Sequence, residues 1–197
     1  MADRLLRAHR TILLVPVVEV GGEPFILGGT KTAPKVSPLY NPDKDILNTW
    51  LAVQSDTHAL AGIGGNVSRA TLDDVDLGLA DSDTEKELVI TSRGNEEAIT
   101  LFNVDAKFVF LRDEDEFATG VFNMARNLTI GPDRRYAIVD RAVGEYTAND
   151  PFDTGQVISL YDVNTDNAID STDDKASIKL NQNFVGTGEV AINVDVA

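Results

Sequence analysis

Few residues in this sequence have the type and spacing that chemistry needs. The two histidines, His9 and His58, fall in a tail and a loop, and no serine sits in the strand-turn-helix pattern of a hydrolytic nucleophile. With no cysteine in the chain, disulfides, thiolate metal sites and a cysteine nucleophile are excluded. The run Gly62-Ile63-Gly64-Gly65-Asn66-Val67-Ser68 invites comparison with a phosphate loop. It lacks the Lys-Ser/Thr pair, no strand-to-helix junction frames it, and it reads as a flexible loop. The best chemical candidate is Asp162–Asp173 (DVNTDNAIDSTD), where oxygen side chains at loop positions 1, 3, 5 and 9 and a carboxylate at 12 follow the calcium spacing of an EF-hand. Asn167 replaces the turn glycine, Asp173 replaces the bidentate glutamate, and helical flanks are missing. A polar turn between two strands is the competing reading. No residue is therefore assigned as catalytic, cofactor-binding or metal-ligating, and calcium at 162–173 stays an alternative.

The elements around these residues are those of a packed domain. The chain has 197 residues, 43% of them hydrophobic and 25% charged, which is enough to bury a core and is ordinary for a globular protein. Arg4, Arg7 and Arg10 precede the apolar run 12–18, but that run stops at Glu19 without a cleavage pattern, so a first strand is expected rather than a signal peptide. No stretch is apolar over the ~18–20 residues that span a bilayer, and a soluble protein is expected. The 32 acidic residues outnumber the 17 basic ones, for a net charge of -15. Such a chain is not expected to grip nucleic acid, whose phosphates need cations, although it could form a surface that DNA passes without sticking.

Periodicity places strands at 11–20 and 25–27, then an extended loop at 28–45 in which Pro34, Pro38 and Pro42 oppose sheet pairing. Asn41 as N-cap and Pro42 at the first helical position predict a short helix whose face carries Ile46, Leu47, Trp50 and Leu51. Residues 49–53 could equally be a strand. A second irregular region covers 60–87 and ends in an acidic run from Asp73 to Glu87. Strands follow at 87–91, 98–102 and 107–111. Asp113-Glu114-Asp115-Glu116 then leads into a helix over 115–128, with Phe117, Val121, Met124 and Leu128 as its packing stripe. Strands at 135–141, 155–163, 175–184 and 188–196 finish the chain. The expected class is mainly β, with sandwich- or barrel-forming sheets, one packed α-helix and long loops suited to assembly.

From Glu87 to Ala197 the order is strands, an acidic-led helix, the segment Asp133-Arg134-Arg135-Tyr136-Ala137-Ile138-Val139, a strand with Phe152, Gly155, Val157, Tyr161 and Val163, and two closing strands. This order resembles the major tail tube proteins of long, non-contractile-tailed bacteriophages, especially those of actinobacterial hosts. The resemblance implies one tail-tube-like domain over 1–197: an N-terminal strand and hairpin at 1–30, long loops with a short helix at 31–86, and a β-sandwich core at 87–197. It implies a structural virion protein and no enzyme, forming stacked hexameric rings whose inner sheets close into a barrel lumen. Its partners would be further copies of itself and other tail proteins at the tube ends, with DNA passing through unbound and no membrane involved. It would be made in the host cytoplasm and located in the virion tail. Arg4, Arg7, Arg10, Arg134, Arg135 and Arg141 are expected to meet carboxylates at subunit contacts. A capsid-decoration protein and a calcium-dependent β-rich module are the alternatives.

Overall fold

The structure, a computed structural model, describes residues 10–30, 33–72, 75–79, 83–88, 95–101, 103–115, 117–142, 146–172 and 178–197. The elements in chain order are β1 (Thr11–Val20), β2 (Glu23–Thr30), β3 (Ala33–Pro38), α1 (Lys44–Leu51), β4 (Gly65–Asn66), β5 (Asp76–Leu79), β6 (Asp83–Leu88), β7 (Asn95–Leu101), β8 (Val104–Leu111), α2 (Val121–Thr129), β9 (Arg135–Arg141), β10 (Val157–Thr165), β11 (Ile169–Thr172) and β12 (Ile178–Asp195). One antiparallel sheet runs β3-β2-β1-β9-β10-β12-β8-β5, with β4 beside β1 and β11 beside β12, while β6 and β7 pair as a separate ribbon. The mainly β class expected from the sequence holds.

The middle of the sheet is its most apolar part. Consecutive residues from Thr11 to Pro16, Tyr136 to Arg141 and Leu160 to Val163 are buried. Side chains alternate between faces along a strand, so such runs mean that both faces are covered there. At Pro16 the main strand partner changes: Thr11–Pro16 lie against β9 and Val17–Val20 against β2. A residue without an N–H fits that switch.

The expected loop at 28–45 is instead partly strand. β2 extends to Thr30 and β3 pairs with it from Ala33↔Thr30 to Pro38↔Phe25. Prolines are tolerated because β3 is the last strand of the sheet, where one row of backbone groups faces no partner. The helix that follows starts two residues later than the sequence suggests. Its N-cap is Asp43, whose carboxylate accepts from the backbone N–H groups of Asp45 and Ile46, while Asn41 lies in the turn before it. The expected face is buried, with Ile46, Leu47, Trp50 and Leu51 all in the core, and the Trp50 indole N–H donates to Leu27 O at 2.6 Å.

The helix expected at 115–128 is shorter. α2 begins at Val121 behind the N-cap Gly120, and Phe117 is 82% exposed. Val121, Met124 and Leu128 do form the buried stripe. The acidic stretch ahead of the helix turns on itself: Asp115 Oδ1 accepts from Phe117 N–H at 2.9 Å, and Asn123 Nδ2 donates to Asp115 O and Ala118 O at 2.8 Å each. Local side-chain bonds of this kind compete with helix and win here.

The two closing strands are one. β12 runs through 178–195, pairing first with β8 and β11 and then with β10. Its register against β10 slips twice, near Gly188 at φ 94° and Asn193 at φ 53°. The Val185-Gly186-Thr187-Gly188 stretch that reads as a turn is thus a bulge, which bends a strand without ending it.

Candidate assembly surface

The residues with chemical potential are absorbed into the fold. His58 is exposed, and its Nδ1 accepts from Leu60 N–H at 3.3 Å; His9 lies outside the described residues. Gly64 and Gly65 owe their identity to packing. A Cβ on Gly64 would lie 2.5 Å from Leu14 O, and one on Gly65 would lie 2.9 Å from Val53 O, far inside contact distance. The calcium-like run does not form a twelve-residue loop: only 166–168 connect two strands. Asp162 and Thr165 lie within β10, and Ile169–Thr172 is β11. The Asp162 carboxylate is fully buried against Arg135, with Nη2 at 2.7 Å, so the first oxygen ligand is already committed. Asp173 lies outside the described residues, and among those described no cluster of His, Asp and Glu could hold a metal ion.

The arginines expected at subunit contacts have partners in their own subunit. Arg10 forms a two-pronged bond to Asp140 at 2.8 and 2.9 Å, and that bond raises its pKa above the usual arginine value. Arg135 binds Asp162 and also Glu19 at 2.6 Å, which likewise raises its pKa. Arg134 donates to the carbonyls of Asn127 and Leu128 at the end of α2, where helix carbonyls lack partners and a cation is favoured. Arg141 is fully buried and donates to Thr11 Oγ1 and to the carbonyls of Thr147, Asp150 and Pro151. Its guanidinium also lies 4.2 Å from the Phe152 ring centre. Burial lowers its pKa, and its role is to hold the 147–156 connection onto the sheet. Arg4 and Arg7 lie outside the described residues.

What the fold leaves open is one end of the sheet. β11, β12, β8 and β5 form a four-stranded patch whose outer strands, β11 and β5, have no further strand partner among the described residues. Phe108, Phe110, Leu180 and Phe184 point into the core, with Phe108 edge-on to Phe184 at 5.4 Å. The opposite row mixes the polar Asp76, Asp105, Lys107, Lys179, Asn181 and Asn183 with the apolar Val109, Leu111, Ile169 and Val185. Two aspartates and two lysines balance there, so the net charge of -15 resides elsewhere. Part of it lies on the β6–β7 ribbon, whose sequence holds Asp83, Glu85, Glu87, Glu96 and Glu97 against Lys86, with Glu87 directly opposite Glu96. The other end of the sheet is different. Pro34, Lys35 and Pro38 blunt β3, the usual protection of an edge that must not pair. Sequence patterning showed the strands but gave no sign of which edges would stay unpaired.

The family described as phage tail tube protein matches residues 56–197. The chain belongs to that family and is a structural component of the virion tail. Among solved structures, one similar chain is the Dit protein of phage SPP1, described as a hub of the adsorption apparatus in phages infecting Gram-positive bacteria. It is 12% identical with a TM-score of 0.34, and the match covers 68% of this chain and 48% of that one. The chain thus spans about half the length of that protein. No curated protein matches the sequence.

Proposed function

We propose that this chain is the subunit of a tail tube, a single domain over 1–197 that polymerises into stacked hexameric rings. The observation that carries the reading is the family match over 56–197. The open patch supports it: strands β11 and β5 end the sheet without bulky protection, and neighbouring copies can add strand to strand there until the ring closes. The row carrying Asp76, Asp105, Lys107 and Asn183 would then face the lumen. The charge balance of that row and its asparagines offer DNA few cationic anchors, so the genome passes without being held. The work of the protein is passive conduction, with no catalytic step and no cofactor. Other tail proteins cap the tube ends.

The calcium-module reading loses its support, because Asp162 is tied to Arg135 and the described part of the run is divided between β10 and β11. Light scattering on the purified chain tests the proposal. The mass should rise with protein concentration to rings or tubes, and a species that stays monomeric at millimolar concentration across salt and pH would overturn it.

A further inference from the structure

Phe117 is the most exposed large apolar side chain among the described residues, at 82%. A single exposed apolar residue needs no explanation by itself, but this one is presented on a fixed scaffold. Its own N–H is bound by Asp115, Asn123 ties the turn to α2, and Asp56 N–H donates to Thr119 O at 3.2 Å. A pre-ordered aromatic loses little freedom when it is buried by a partner, which is the character of an interface anchor.

A different group of residues forms a matching socket. Between the β2–β3 hairpin, α1 and the 58–63 turn lies an apolar cavity of about 150 Å³ lined by Leu27, Gly28, Pro34, Trp50, Leu60 and Ile63. A wider groove of about 500 Å³ shares Gly29, Thr30 and Leu60 with it. An apolar cavity of ~150 Å³ is of the size that takes up one benzene molecule, so it suits one phenyl ring.

We propose that Phe117 of one copy inserts into the Leu27–Trp50–Leu60 cavity of the next copy. The knob and the socket are different patches, so the contact is head-to-tail, the type that propagates into rings or filaments. Most of the socket (Leu27, Gly28, Pro34 and Trp50) precedes the residues that match the family. The inference rests on the proposed self-assembly and adds a specific contact to it.

Because the chain has no cysteine, single cysteines test the pairing cleanly. Copies carrying F117C and copies carrying P34C, mixed and treated with a short bismaleimide, should give a covalent pair only in the mixture. In parallel, F117A should raise the concentration needed for assembly at least about tenfold while melting like the wild type. F117C copies that link to one another as readily as to P34C copies would overturn the proposal, because knob would then meet knob. Unaltered assembly of F117A, or a socket filled by residues 1–9 of the same chain, would also overturn it. If the wild type never associates, the assembly reading falls as well; if it associates and F117A does too, only this contact falls.

Discussion

Two phenylalanines from the same part of the sequence have opposite fates. Phe108 is 1% exposed and packs between Phe110 and Phe184, so F108A should destabilise the subunit by about 3–5 kcal/mol through the cavity it leaves. Phe117 touches no core, and F117A should change stability by less than about 0.5 kcal/mol. Urea denaturation of both variants checks the pair, and a reversed order would show that the turn at 113–119 is wrongly placed. Tyr40 gives a second residue-scale expectation. Its hydroxyl donates to Glu189 at 2.5 Å, and that bond, with a smaller contribution from burial, pushes its pKa up to about 12. A raised value means that the folded state favours the protonated phenol. The stabilisation from this link is therefore complete below 10.0, the unperturbed value, and is lost as pH climbs through about 12. E189A should bring the phenolate transition of Tyr40 back toward 10.0, read by its absorbance against a Y40F control. An unmoved transition would mean that the bond is absent.

At the scale of elements, legibility followed how much of the signal was local. The strands at 11–20 and 135–141 and the buried face of α1 were readable because apolar runs and helical spacing state their own burial. The strand β3 was not, since its prolines argue against sheet in general and only its place at an edge admits them. The start of α2 was misjudged because Phe117 has helical spacing to Val121, while the bonds from Asp115 and Asn123 that stop the helix depend on the folded turn. The fusion of β12 was hidden because Gly186 and Gly188 look like a turn until a neighbouring strand bridges them. The calcium-like run showed the same limit: its spacing was real, but the salt bridge from Arg135 to Asp162 joins residues 27 positions apart. The open edges lead to a further prediction. Ile169 lies on β11 and is 61% exposed, so I169K should leave the melting temperature unchanged and suppress assembly, as an edge lysine does. Sedimentation would read the effect, and normal assembly of the variant would remove β11 from the interface.

For the whole molecule, charge is the term that assembly must overcome. Copies carrying -15 each repel at low ionic strength, and Arg10, Arg134, Arg135 and Arg141 are already engaged within their own subunit. Assembly should therefore improve steadily as salt rises toward physiological strength, where the screening length falls to about 8 Å. Turbidity against ionic strength measures this, and assembly that weakens from the lowest salt upward would mean that ion pairs between copies dominate. The central claim is that copies join through the open end of the sheet to enclose a channel. Electron microscopy of the assembled protein tests it most directly. The account predicts hollow tubes of stacked six-fold rings, with β5 and β11 of adjacent copies meeting and the row from Asp76 to Asn183 lining the lumen. Rings in which that row lies on the outer wall, or solid filaments with no channel, would contradict it.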